Sequence, residues 1–218
     1  MQHDGSPGAK LASAYAAYGF RSAREVADDL EHLVDLLKTW QKVQNLVSRE
    51  TLTDIWQRHV EDSLQLLPLL KADDRRLVDV GSGGGFPALP MAVVLRGGGR
   101  WTTLFEPTQR KATFLRTAIR ELQLDADVRV ERLESDSRET AADVITARAV
   151  TSLRALLEMT LPLFGARSRA LFHKGREHGE EVTLASHAFS FDVIRHASAT
   201  DAAAVILEIS NPRALSKG

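Results

Sequence analysis

Arg76-Leu77-Val78-Asp79-Val80-Gly81-Ser82-Gly83-Gly84-Gly85-Phe86-Pro87 is the stretch on which the fold reading turns. Residues 76–80 are a short apolar run ending in glycines, as expected of a strand buried on both faces of a parallel sheet. The glycines let the backbone take positive φ and approach a ligand closely. Residues 86–96 then read as a helix with Pro87 in its first turn. In an open parallel sheet a strand-to-helix turn of this kind lies in the crevice where ligands bind.

The alternation continues downstream. Residues 101–105 read as a second strand, and Pro107 opens a helix with Phe114, Leu115, Ala118 and Leu122 on its core face. Residues 128–133, 143–147 and 170–173 read as strands three to five, with a helix over 153–164. Residues 191–196 and 204–209 read as two closing strands. Their short connection leaves no room for a crossover, so they pair antiparallel. Strands alternating with helices predict an α/β fold: a Rossmann-like, mostly parallel seven-stranded sheet with helices on both faces and one reversed strand at its end. This is the layout of the class I methyltransferase fold.

Upstream the chain is helical. Ser22 and Glu25 have the spacing of a capping box, and Val26, Leu30, Leu33, Leu37 and Trp40 form one apolar stripe. Asn45-Leu46-Val47-Ser48 interrupts it, Thr53 is placed to cap a second helix, and Pro68 kinks or ends that helix. The expected organisation is a flexible polar segment over 1–20 that is no signal peptide, a helical extension over 21–72, a methyltransferase domain over 73–210, and a tail over 211–218.

No stretch has the unbroken apolar length of a membrane helix. The sequence has no cysteine, which excludes disulfides, thiolate metal sites and a cysteine nucleophile. These features fit a cytoplasmic protein. The formal net charge of −1 means that any contact with nucleic-acid phosphates must come from local patches.

The glycine loop carries the chemistry. S-adenosylmethionine has a carboxylate, an ammonium and a sulfonium but no phosphate, so its amino-acid end needs a glycine-lined slot of the kind Gly81, Gly83 and Gly85 form. Asp79, just before the turn, suits the ammonium. Glu106, at the end of the second strand, suits two ribose hydroxyls. Glu134, after strand three, stands where such folds contact the adenine. Nicotinamide enzymes use a related loop. From Gly81 the dinucleotide pattern fails at Phe86; from Gly83 it passes with Ala88 but starts late. A dinucleotide site and a plain tight turn remain the alternatives, while a triphosphate site lacks its lysine.

After strand four the chain reads Thr146-Ala147-Arg148-Ala149-Val150, without the Asn/Asp-Pro-Pro-aromatic acceptor of enzymes that methylate exocyclic amines. An arginine only donates. It suits an electron-rich edge, a phosphate or the cofactor carboxylate, and a structural ion pair is the plainer reading. Guanine N7 is consistent with this, because it carries a lone pair and no proton.

Several motifs in order resemble the RsmG family, also called glucose-inhibited division protein B. They are residues 79–87, Gln109-Arg110-Lys111 with Phe114-Leu115, Arg148-Ala149 and Lys174-Gly175, preceded by Trp40, Asn45-Leu46, Arg58-His59 and Asp62-Ser63. The likeness runs from about residue 25 to about residue 210. It implies methylation of a guanine N7 in 16S ribosomal RNA near the decoding region, on naked RNA or on the small ribosomal subunit. By position it puts Gly81, Phe86, Leu133, Glu134 and Arg148 on the cofactor, and makes Lys174 and Arg110-Lys111 basic site residues. Arg148 and Lys174 become the catalytic candidates. The chain departs from the family at Ala88, Pro107 and His173.

Other residues carry a structural reading beside the functional one. Arg58-His59 either contact RNA or join a local contact with Asp62 at one-turn spacing. Arg110, Lys111, Arg116 and Arg120 are either a solvated helix face or an RNA patch. Trp40 and Trp56 read as core. The histidines lack metal-ligand spacing, so no metal is expected. A monomer is expected. A nicotinamide-dependent oxidoreductase and a non-catalytic module that keeps the S-adenosylmethionine pocket are the competing functions.

Overall fold

The computed structural model describes residues 5–133 and 141–215. Its strands are β1 (Arg76–Val80), β2 (Trp101–Phe105), β3 (Ala126–Arg129), β4 (Ala142–Arg148), β5 (Phe164–Lys174), β6 (Phe189–Ala197) and β7 (Val205–Ala214). They form one sheet in the order β3-β2-β1-β4-β5-β7-β6. The first five are parallel, and β7 runs antiparallel to both β5 and β6. The reversed strand therefore lies inside the edge rather than at it. A helix, α7 (His178–Ser186), carries the chain over to β6, and β7 turns back into the gap that this crossover leaves.

Strand alternation divides the core. Leu77, Leu104, Val144, Leu171 and Ile206 face one apolar cluster, which also holds residues of α2 (Ala23–Gln41), α4 (Ala88–Leu95) and α5 (Gln109–Glu121). Val78, Ile145, Phe172 and Leu207 face the other cluster, with α6 (Leu153–Thr160) and α7. All eight residues of α4 are buried, so that helix is apolar all round. By the same alternation Asp79, Thr146, Arg148 and His173 share the face covered by α2, α4 and α5.

The N-terminal helices pack on that face. Ser22 caps α2 by accepting the Glu25 amide at 3.3 Å, while the Glu25 carboxylate accepts the Ser22 amide at 3.0 Å. Leu30, Leu33 and Leu37 are fully buried, each contributing about 1.5–3 kcal/mol of apolar burial. Trp40 meets the edge of Phe114 on α5 at 5.9 Å, as its core reading requires. No helix of the described residues is long and apolar enough to cross a membrane.

Several element readings are corrected. Part of the stretch read as a flexible segment is helical: α1 (Pro7–Tyr15) starts at a Ser6 cap and packs on α2. Its close approach depends on Gly8, where a Cβ would stand 2.8 Å from Glu31 Cγ. Small residues bury little apolar area and leave no stripe to read. Thr53 caps nothing: its hydroxyl bonds Glu50 O, and a π-helical stretch, Trp56–Glu61, starts after Ile55 and runs into α3 (Asp62–Leu64). β3 ends at Arg129, α6 gives way to a short tight turn over Leu161–Leu163, and β5 begins at Phe164. β7 continues into the stretch read as a tail. α7 was missed because Ala185 is its single buried residue.

Candidate cofactor and substrate site

The carboxyl ends of β1, β4 and β5 open on a cleft of about 670 Å³, walled on its other side by residues 46–48 and 58–62 of the helical extension. That volume is in the range of small-molecule sites.

The glycine loop forms its floor. The Gly81 and Ser82 amides both donate to Phe105 O, at 2.9 and 3.0 Å, binding the loop to the end of β2. Gly81 has φ +70, and a Cβ there would meet Val150 Cγ2 at 2.8 Å. Gly85 has φ +86, and a Cβ there would run into the Leu89 side chain. Both positions require glycine. Residues 45–48 press on the loop from above: a Cβ on Gly84 would lie 2.9 Å from Leu46 O. The Gln41 side chain pins that strap, donating to Val47 O at 2.9 Å and accepting the Leu46 and Val47 amides at 2.9 and 3.1 Å.

Two carboxylates stand behind the loop. Glu106 is buried, accepting the Gly83 amide at 2.8 Å and the Thr108 amide at 2.7 Å, so it spans the gap between β2 and the glycines. Asp79 is also buried. Its Oδ1 accepts from Thr146 Oγ1 at 2.6 Å, and its Oδ2 has no partner among the described residues. Burial pushes its carboxyl up to about 6, against hydrogen bonds and the Arg148 charge that favour the ionised form. A buried carboxylate oxygen with no donor is costly and fits an ammonium brought by a ligand.

Arg148 leaves the end of β4 and is held by the helical extension. Its Nη1 donates to Arg58 O at 2.8 Å and to Asp62 Oδ2 at 3.1 Å. Its Nη2 lies 2.6 Å from His59 Nδ1. A guanidinium has no acceptor, so Nδ1 must accept and the imidazole proton sits on Nε2, which donates to Thr51 Oγ1 at 2.8 Å. His59 is therefore neutral; burial and the Arg148 charge bring it down to about 4, against the pull of Asp62. The Phe86 ring completes the cage, 4.9 Å from the His59 ring and 5.3 Å from the Arg148 guanidinium carbon.

Asp62 is the hub of this wall. Besides Arg148 it accepts from Gln65 Nε2 at 2.7 Å and Thr200 Oγ1 at 2.6 Å, and its carbonyl accepts from His173 Nε2 at 2.8 Å. Burial also depresses the basicity of His173. On the other face of β5, Lys174 Nζ donates to Glu181 Oε2 and to Thr151 O, both at 2.7 Å. The ion pair that the sequence offered as the plainer reading of Arg148 is thus present, and Lys174 has one as well.

The remaining candidates divide. Arg58 lines the cleft, its guanidinium 3.8 Å from Asp201. Lys111 reaches the cleft, whereas Arg110, Arg116 and Arg120 are exposed along α5. Leu133 is buried among Val80 and Phe105 behind the sheet. Glu134 lies outside the described residues. Among the described residues no group of His, Asp and Glu is placed to hold a metal. Sequence reasoning noted Asp62 beside His59 but missed Thr51, Gln41 and Glu181. The one local hint is that Thr51 and Gln41 flank the Asn45–Ser48 interruption.

The comparisons with known proteins now bear on this geometry. Residues 26–209 match the family described as rRNA small subunit methyltransferase G, GidB. The chain belongs to the GidB family. A ribosomal RNA small subunit methyltransferase G of Brucella ovis is 45% identical over 195 residues, covering 88% of this chain and 90% of the relative. One of Rhizobium meliloti is 41% identical, covering 90% and 94%. An O-methyltransferase of Bacillus cereus, solved in complex with SAH, superposes with a TM-score of 0.56 at 13% identity, covering 84% of this chain and 91% of that one. This last likeness shows the fold alone, the class I methyltransferase fold. The family's cofactor is S-adenosylmethionine, and the orphaned Asp79 oxygen and the slot at Gly81 fit its amino-acid end. Family membership favours this reading of the loop over the dinucleotide one.

Proposed function

We infer that the chain methylates N7 of a guanine in 16S ribosomal RNA, as the sequence resemblance implies, with the small ribosomal subunit or its RNA as substrate. The observation that carries the choice of nucleophile is the state of the ionisable groups lining the cleft. Asp62 is engaged by Arg148, Thr200 and Gln65, Glu181 by Lys174, and Asp201 by Arg58. His59 uses both ring nitrogens, and the His173 proton goes to a carbonyl. In and behind the cleft, the acceptors left unpartnered among the described residues are His173 Nδ1 and Asp79 Oδ2, and both atoms are buried, so no exposed base stands ready to take a proton. Guanine N7 needs none: its lone pair forms the new N–C bond and no proton leaves.

When bound, S-adenosylmethionine supplies an electrophilic methyl on its sulfonium. Asp79 receives the ammonium, Gly81, Gly83 and Gly85 leave room for the backbone of the amino-acid end, and Glu106 takes the ribose hydroxyls. Phe86 borders the cofactor side; Leu133 and Glu134 are assigned to the cofactor by the family resemblance alone. Arg148 orients the cofactor carboxylate and the O6/N7 edge of the base. One positive charge is exchanged for another in the reaction, so alignment rather than charge stabilisation is the main task. Lys174 fixes the loop at Thr151 that borders the base, and Arg58, His59, Arg110 and Lys111 face the RNA.

The test is transfer of labelled methyl to small subunits from cells lacking this protein, followed by chain scission specific for 7-methylguanosine. A single labelled scission site supports the reading. Label confined to protein, or to a nucleotide resistant to that scission, overturns it.

A further inference from the structure

Arg148 reaches a wall that does not belong to the methyltransferase sheet, and its donors are met there by one turn of chain. Arg58 O, His59 Nδ1 and Asp62 Oδ2 lie at 2.8, 2.6 and 3.1 Å from its terminal nitrogens. The winding of that turn matters. The Asp62 amide bonds Gln57 O, as a π-helix dictates, so the Arg58 carbonyl is not taken by its usual donor four residues on. A carbonyl, an imidazole nitrogen and a carboxylate thus converge within five residues.

We propose that the Trp56–Glu61 turn with Asp62 is the positioning element of Arg148, and that His59 and Asp62 act on cofactor binding through its guanidinium. A free arginine side chain carries about 2 kcal/mol of rotamer entropy, and three acceptors with an aromatic face remove that freedom before any ligand arrives. The wall is itself braced: Thr200 from the β6–β7 connection, His173 from β5 and Gln65 from the same turn hold Asp62. Arg148, His59 and Asp62 all line the cleft, so the cluster is not merely a staple between layers. The role rests on the assignment of Arg148 to the cofactor made above.

The experiment uses the full chain with His59→Leu, which keeps bulk against Phe86 but removes the acceptor, and His59→Asn, which restores an acceptor near the Nδ1 position. Each is also made in an Arg148→Ala background. S-adenosylmethionine affinity is read by calorimetric titration, and the Arg148 Nη–H signals by NMR of arginine-labelled protein. His59→Leu is expected to weaken binding about tenfold, the worth of a hydrogen bond to a charged group, and to collapse the resolved Nη–H signals. His59→Asn recovers most of both, and in the Arg148→Ala background His59→Leu has no further effect. The proposal is overturned if His59→Leu weakens binding equally without Arg148, if His59→Asn is as weak as His59→Leu, or if His59→Leu changes neither readout. If His59→Leu does not fold, Asp62→Asn is read by the same criteria. If Arg148→Ala binds S-adenosylmethionine like the wild type, the cofactor assignment of Arg148 fails, and the Nη–H signals alone decide the positioning role.

Discussion

Replacing Gly81 by alanine separates two costs that the glycine loop avoids. At φ +70 a non-glycine residue carries roughly 1–2 kcal/mol of strain. The added Cβ would also stand 2.8 Å from Val150 Cγ2 and 3.1 Å from Cγ1, an overlap in a packed site that costs about 1–3 kcal/mol. Gly81→Ala is therefore expected to lose about 2–5 kcal/mol of stability, or about 6–15 °C in Tm for a chain of this length. Gly83 is the control. It has φ +55, but its Cβ would meet nothing closer than Gly81 O at 3.7 Å. Gly83→Ala should pay the strain alone, about 3–6 °C. Differential scanning calorimetry measures both, and titration with S-adenosylmethionine measures the slot. Gly81→Ala should bind the cofactor much more weakly than Gly83→Ala, and Gly81→Val should abolish binding. Equal melting shifts for the two alanine variants, or wild-type affinity in Gly81→Ala, would refute the steric argument.

Three further outcomes are expected. Asp74 and Arg169 form a buried bidentate pair at 3.2 and 2.8 Å, so Asp74→Ala should cost up to about 3–5 kcal/mol in urea denaturation by leaving the buried guanidinium with Glu208, 3.3 Å away, as its remaining carboxylate; a loss under about 1 kcal/mol counts against it. Asp79 titrates near 6 when folded and near 3.8 when unfolded, so the folded chain holds the extra proton between those values. Its contribution to stability is lost as pH rises through that window, and Asp79→Asn should gain on the wild type by up to about 3 kcal/mol at pH 7.5 relative to pH 4; a pH-independent difference rules this out. Arg110→Ala with Arg116→Ala should weaken binding to small-subunit RNA and lower the salt slope by about 0.7–0.9 for each phosphate no longer neutralised, with cofactor affinity unchanged. An unaltered slope returns these residues to a solvated face.

Much of the sheet was legible because its signals are local. The apolar run 76–80 and the glycines after it announce a buried strand and a ligand turn within a dozen residues, and β2 falls at the bounds read from its pattern. The Ser22–Glu25 capping box is likewise a matter of spacing, and both of its hydrogen bonds are present. Where periodicity is weak the reading fails: α1 packs through Gly8 and Ala12, and α7 buries one alanine. Neither leaves a stripe.

The side chains of the site follow the same division. Sequence alone marked Asp79, Gly81, Glu106 and Arg148, because each sits at a fixed offset from the end of a strand and the alternation of strand and helix fixes which ends meet. What those residues touch was decided by tertiary structure. Arg148 draws its acceptors from 86 to 90 residues upstream, and Lys174 meets a carboxylate on a helix with no apolar signature. A hydrogen bond over such a separation leaves no mark on neighbouring residues, since it arises only when the helical extension docks on the face of the sheet and brings one turn of backbone against the cleft.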